Sequence, residues 1–229
     1  MTEQSTIPTH VGIILDGNRR WATKNGLPVS EGHREGFETL NDIANHALVR
    51  GVKFLTIYAF STENWSRTKE EVSFLMGFTA QVLKTRIKEL HKKGVRFVWL
   101  GSRENLDESF LQLLTDAEKL TKDNDKATLA LCFNYGGQQE IIDAVKTLQA
   151  TGEEVSKESI EKNLYGGARI PLVDFLIRTS GEHRISNFML WRAAYSELYF
   201  TDVLWPDFHE KEFDVALAEY ATRQRRFGV

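Results

Sequence analysis

Arg178, Glu182, His183, Arg184 and Ser186 crowd one short stretch of this chain, directly after the apolar run 173–177 that only Asp174 interrupts. Such a run reads as a buried parallel strand, and open α/β sheets place their ligands beyond the carboxyl ends of their strands. Guanidiniums grip phosphate oxygens with a planar fork of donors, so Arg178 and Arg184 point to a strongly anionic ligand. Ser186 reads as the N-cap of a helix starting near Asn187, whose free backbone N–H groups would add to the anion site. A solvated loop with surface ion pairs is the plainer reading. It gains little from so many donors, which repel one another when no anion is present.

A second cluster follows another apolar run, 10–15: Asp16, Gly17, Asn18, Arg19, Arg20 and Trp21. Gly17 and Asn18 favour a tight backbone turn. By itself that turn would only end a strand. An acid among arginines in a phosphate site also suits Mg²⁺, which takes one or two carboxylates plus the ligand's own phosphate oxygens. A third cluster, Ser61, Thr62, Glu63, Asn64, Trp65, Arg67 and Glu71, follows the run 52–60. Thr68 and Glu71 fit a capping box, Trp65 fits core packing and Asn64 fits a turn, whereas Ser61 and Arg67 lack an obvious structural duty. All three clusters fall at strand ends, and they are expected to converge on one site.

The elements that must carry them follow from periodicity. Strands are expected at 10–15, 52–60, 95–100, 128–134, 173–177 and 198–201. Helices are expected at 35–50, from Lys69 through Leu90, and at 107–121, 138–150, 157–163, 187–195 and 210–225. Alternation of this kind implies an α/β fold, with a mostly parallel central sheet of about six strands flanked by helices. At 229 residues and 41% hydrophobic content the chain reads as one domain, 1–229. A net charge of −3 makes the arginines a local concentration and speaks against a nucleic-acid surface. Cys132 is the single cysteine, which suits a core position in a reducing cytoplasm. No apolar run has the length of a membrane span.

Residues 10–22, the pair Gly32 and His33, the segment 58–67, the stretch 174–188 and Glu197 to Phe200 together resemble the cis-prenyltransferases, in order and over nearly the whole chain. The resemblance implies a Mg²⁺-dependent enzyme with a hydrophobic tunnel that adds isopentenyl diphosphate to an allylic diphosphate such as farnesyl diphosphate, to a length near undecaprenyl. Asp16 would then handle the metal, with His183 and Glu197 supporting it. Gly17, Asn18, Arg19, Arg20, Trp21 and His33 would hold the allylic diphosphate. Arg178, Arg184 and Ser186 would hold isopentenyl diphosphate. Asn18 and Ser61 would lie near the condensing carbons, with Thr62, Glu63, Asn64, Trp65 and Arg67 around them. Arg226 would reach across a homodimer to the neighbour's site, and 199–208 would supply apolar surface to that partner. Product release would bring peripheral contact with a membrane.

The chain departs from the family's pattern at four positions. Arg19 stands where bacterial members usually carry Gly, Val29 where an arginine is common, Ser102 where an aspartate is usual and Phe133 where alanine is often found. Phe133 bears on product length, because a bulky tunnel residue blocks growth. Two other classes are weighed against this reading. A noncatalytic partner subunit should lack Asp16, Arg178, Arg184, Ser186 or Glu197, and all are present. A phosphohydrolase with Asp16 as nucleophile would want a second carboxylate where Asn18 stands.

Overall fold

The computed structural model describes residues 7–223. β1 (His10–Ile14), α1 (Asn18–Lys24) and α2 (Val29–Val49) come first, then β2 (Phe54–Ser61), α3 (Lys69–Lys92) and β3 (Val95–Leu100). α4 (Glu108–Thr121), β4 (Ala127–Tyr135), α5 (Gly137–Thr151) and α6 (Lys157–Asn163) lead to β5 (Phe175–Arg178), β6 (Glu197–Phe200) and α7 (Glu210–Thr222). The strands form one six-stranded sheet in the order β3-β4-β2-β1-β5-β6. The pairs β1–β5, β5–β6 and β3–β4 run parallel. Every expected strand is present, with ends shifted by at most two residues. Among the described residues no helix is long and apolar enough to cross a membrane.

The described residues fall into two compact units whose boundary lies inside β2. One holds the residues up to Thr56, Leu172–Ser186 and those from Arg192 onward; the other holds Ile57–Pro171 and Asn187–Trp191. In the first unit Val11, Ile13, Phe175, Leu176 and Ile177 of β1 and β5 are fully buried, as are Ile43 of α2 and Phe213 of α7. Each such burial contributes about 1.5–3 kcal/mol before entropy is counted. The same parallel pairing sets Ile14 beside Arg178, so the ends of β1 and β5 lie together.

In the second unit α3 starts where expected. Thr68 Oγ1 accepts the Glu71 N–H at 3.3 Å, Glu70 and Glu71 occupy the first turn, and His91 and Lys92 the last, each suited to the helix dipole. Of its apolar stripe only Leu75 and Leu83 are buried. Phe133 lies in the core between Phe60 and Phe110, with ring centroids 5.1 and 5.0 Å away. Cys132 is fully buried, as a core residue should be.

Three expectations about helices are corrected. No helix forms over 187–195, because Ser186, Asn187 and Met189 have φ of 46, 64 and 47°, left-handed values that a right-handed helix does not contain. Ser186 is therefore no N-cap. Residues 18–24, for which no helix is expected from the sequence, form α1 directly after the turn at Gly17. α2 begins at Val29 rather than residue 35, since its early glycines hide the helical pattern. Those glycines are there for contact. A Cβ on Gly32 would lie 2.2 Å from the Asn18 carbonyl oxygen, and one on Gly36 would lie 2.3 Å from Asn18 Oδ1.

Candidate active site

In the first unit the loop after β1 is fastened from several sides. Thr179 Oγ1 donates to the Asp16 carbonyl at 2.6 Å, and the Trp205 N–H donates to the same oxygen at 3.0 Å. Gly17 must be glycine: its φ is 117°, and a Cβ would meet Leu204 Cα and Trp205 N at 3.0 Å. Trp205 in turn donates its indole N–H to the Gly36 carbonyl at 2.7 Å. Trp205 and Phe208 are fully buried, so they are core and not the partner surface expected of 199–208. Tyr195 and Leu198 are the exposed apolar side chains nearby.

Asp16 and Arg178, far apart in sequence, meet. Arg178 Nη2 donates to Asp16 Oδ2 at 2.8 Å, while Nη1 donates to Ser186 Oγ at 2.6 Å and to the Arg184 carbonyl. Arg178 is only 4% exposed, and its Nε–H has no protein partner. Its terminal nitrogens bond the protein's own groups, Asp16, Ser186 and the Arg184 carbonyl. Arg184 is exposed and pairs with Glu182. Arg20 reaches Ser180 Oγ, lies 3.6 Å from Glu182 Oε1 and 3.9 Å from Asp16 Oδ1. Arg19 is exposed and His33 half-buried on α2 beside Gly32. Trp21 is tied to Asp207 through its indole N–H at 2.8 Å.

The three residues expected around a metal do not form one cluster in this chain. Glu197 opens β6 opposite Phe175, at the amino end of the parallel strands, whereas Asp16 follows their carboxyl end. At about 3.3 Å per residue that separation is roughly 10 Å along the strand alone. Glu197 accepts from Arg223 at 3.1 Å, and His183 stacks on Phe200 with centroids 5.0 Å apart. Among the described residues no three His, Cys, Asp or Glu side chains are grouped to hold a metal ion. Asp16 fits Mg²⁺ as a single carboxylate: Oδ2 is taken by Arg178, while Oδ1 has only Arg20 at 3.9 Å. Arg226 lies outside the described residues.

The third motif is built within the second unit. After Ser61 the chain makes a 3-10 turn, Thr62–Ser66, in which Asn64 Oδ1 accepts the Ser61 N–H at 3.0 Å. Trp65 donates its indole N–H to Asn134 Oδ1 at 2.7 Å and meets Phe60 edge to face. Arg67 donates to Glu71 at 2.8 Å. Burial works to raise the Glu63 carboxyl, but hydrogen bonds from Asn187 and from its own turn prevail and hold it below the ordinary carboxylate value. Burial pushes the Tyr58 hydroxyl, beside Ser61, far above the usual tyrosine range. Asn134 carries no site role in the sequence reading, and Glu182 and Asn187 enter it only as members of the stretch after β5. A polar residue ending the run 129–133 was the one available signal for Asn134.

Parallel strand ends, an acid braced by a buried arginine and further arginines at the surface define an α/β enzyme site for an anionic ligand. The family model described as putative undecaprenyl diphosphate synthase matches residues 14–228, and the chain belongs to this prenyltransferase family. An isoprenyl transferase of Fusobacterium nucleatum is 49% identical over 98% of this chain and 97% of that protein. The decaprenyl diphosphate synthase of Mycolicibacterium smegmatis is 46% identical over 97% and 78%. Lavandulyl diphosphate synthase from Lavandula x intermedia, solved with dimethylallyl diphosphate, superposes with a TM-score of 0.93 at 36% identity, covering 99% of this chain and all of that one.

Proposed function

We propose that this chain condenses isopentenyl diphosphate with an allylic diphosphate, farnesyl diphosphate being the primer, to build a cis-polyprenyl diphosphate near undecaprenyl length. The observation that carries this reading is the Arg178 guanidinium, which braces Asp16 at 2.8 Å and Ser186 at 2.6 Å in a chain of the prenyltransferase family. In each cycle the allylic carbon–oxygen bond breaks, a carbon–carbon bond forms to isopentenyl diphosphate, and a proton is lost to the released diphosphate or a nearby polar group. Bound Mg²⁺ would neutralise charge on the departing diphosphate, with Asp16 holding it.

Arg20 exchanges its Glu182 and Ser180 partners for oxygens of the allylic diphosphate, which gain charge as the bond breaks and are stabilised most at that moment, while Arg184 exchanges Glu182 for the diphosphate of isopentenyl diphosphate. Gly17, Asn18, Arg19 and His33 complete the allylic subsite, and Trp21, anchored on Asp207, fixes α1. Arg178, which also holds Asp16, takes isopentenyl diphosphate together with Arg184 and the Ser186 hydroxyl. Ser61, Thr62, Glu63, Asn64, Trp65 and Arg67 shape the condensation site. The exposed Tyr195 and Leu198 beside and on edge strand β6 support a homodimer, in which His183, Glu197 and Arg226 would serve the metal and the neighbour's substrate. A cytoplasmic enzyme touching the membrane peripherally would suit so apolar a product.

A shorter product is favoured by one observation, the buried stack of Phe60 and Phe133 against Phe110, at the strand position where the family resemblance implies the tunnel wall. Incubation with Mg²⁺, farnesyl diphosphate and labelled isopentenyl diphosphate, followed by chain-length analysis, decides between the two. Condensation that survives chelation of Mg²⁺ would remove the metal from the scheme. Absence of any condensed product across several primers would overturn the function.

A further inference from the structure

The motif from Ser61 to Arg67 rides on a 3-10 turn of five residues, closed locally by a reciprocal capping box between Ser61 and Asn64. Two asparagines from elsewhere in the second unit hold it. Asn134 ends the apolar run of β4 in left-handed backbone, φ 55°, and is 2% exposed. Its Oδ1 accepts from Trp65 at 2.7 Å, and Nδ2 donates to the carbonyls of Ser102 at 2.8 Å and Glu104 at 2.7 Å. Both amide protons and the amide oxygen are therefore used.

Asn187, φ 64°, takes the turn at another point. Nδ2 donates to Glu63 Oε1 at 2.9 Å, Oδ1 accepts the Gln138 N–H at 2.9 Å, and the main-chain carbonyl accepts the Gly137 N–H at 2.7 Å. One residue thus covers the start of α5 and grips the turn. Two glycines make the approach possible. A Cβ on Gly136 would lie 2.7 Å from Thr62 Oγ1 and 2.9 Å from Asn187 Nδ2, and one on Gly137 would lie 2.9 Å from the Asn187 carbonyl oxygen. Asparagine is among the few side chains that enter left-handed backbone readily while also offering a donor and an acceptor. Glycine supplies only the backbone, and aspartate only the acceptor.

We infer that Asn134 and Asn187 are positioning residues that hold the 3-10 turn through Trp65 and Glu63, and so fix Ser61 and Asn64 for the condensation; this rests on the prenyltransferase reading. The competing account is that they merely cap α5 and brace the ends of β3 and β4. Asn187→Asp separates the two. Aspartate caps a helix as well as asparagine, so a purely structural role leaves turnover unchanged. A positioning role sets two carboxylates against each other and lowers kcat/KM roughly tenfold, the scale of one charge-assisted hydrogen bond. Adding Glu63→Gln returns a donor to the new carboxylate, and the double variant recovers the rate of Glu63→Gln alone.

Turnover of Asn187→Asp equal to the parent, or a double variant slower than Glu63→Gln alone, overturns the assignment. For Asn134, the Asn134→Gly change keeps the left-handed backbone and removes all three side-chain bonds. The Trp65 indole N–H resonance, identified by its loss in Trp65→Phe, should shift upfield, with kcat falling more than KM rises; an unmoved resonance removes Asn134 from the proposal. If the parent chain makes no prenyl product, the prenyltransferase reading falls separately. A double-mutant cycle of Asn187→Asp and Glu63→Gln on unfolding still tests the contact, and a coupling near zero ends it.

Discussion

Asp16 Oδ2 accepts the Nη2–H of Arg178 at 2.8 Å, joining two residues that lie beyond and at the ends of neighbouring strands. The pair is unevenly buried, with the Arg178 side chain 5% and the Asp16 side chain 33% exposed. The arginine therefore depends on the acid more than the acid on the arginine. Removing Asp16 leaves a buried cation short of a partner, which costs stability as well as chemistry.

Asp16→Ala should abolish most Mg²⁺-dependent turnover and also lower stability by about 1–3 kcal/mol, discounted for the exposure of the carboxylate. Asp16→Asn keeps an acceptor for Arg178, so it should lose turnover with a smaller loss of stability. Denaturant titrations beside rate measurements check both, and normal metal-dependent activity in either variant would remove Asp16 from the scheme.

Arg184 is exposed and paired with Glu182, so its loss should spare the fold. Arg184→Ala is expected to raise KM for isopentenyl diphosphate on the order of tenfold or more, the worth of a charge-assisted contact. Melting should be unchanged. A KM that does not move would take the guanidinium out of substrate binding.

Gly36→Ala sets helix propensity against packing. Alanine gains about 1 kcal/mol in a helix interior, yet its Cβ would sit 2.3 Å from Asn18 Oδ1 and 2.9 Å from Trp205 Cδ1. Overpacking of this kind costs about 1–3 kcal/mol, so the variant should be less stable and bind the allylic substrate more weakly. A more stable, fully active protein would show that α1 can move away without consequence.

Glu63 gives a pH dependence. Its folded carboxyl titrates below the ordinary value near 4.5, so its stabilising contribution is present above that value and is lost as pH falls through the lower, folded one. The stability difference between the parent and Glu63→Gln should therefore shrink on acidification below about pH 4.5. A difference that stays constant across that range would contradict the shift.

Phe133→Ala should lengthen the product, since it opens the core between Phe60 and Phe110, at a stability cost of about 3–5 kcal/mol. The product distribution on reversed-phase chromatography reads this directly. An unchanged distribution would place the length limit elsewhere.

The strands were legible because buried parallel strands are continuous apolar runs, and Thr68 with Glu71 marked the start of α3. Asp16 and Arg178 were legible because their residue types stood at strand ends. α1 and the first turns of α2 were not, since Gly17, Gly32 and Gly36 answer to contacts with Leu204, Asn18 and Trp205 that no local pattern records. The segment after Ser186 looked helical from its apolar spacing, but left-handed backbone at Ser186, Asn187 and Met189 carries it another way. A metal role for Glu197 comes from the family resemblance alone, and strand register places it opposite Phe175, away from Asp16 of the same chain.

The parallel pairing of β1 with β5, Val11 beside Phe175, also sets a timetable for synthesis. Residues 57–171, which make up most of the second unit, leave the ribosome as one uninterrupted stretch and can begin folding while translation continues. β1 emerges first yet must wait for β5 until the last quarter of the chain arrives, and Asp16 has only Arg20, and not Arg178, available to it before then.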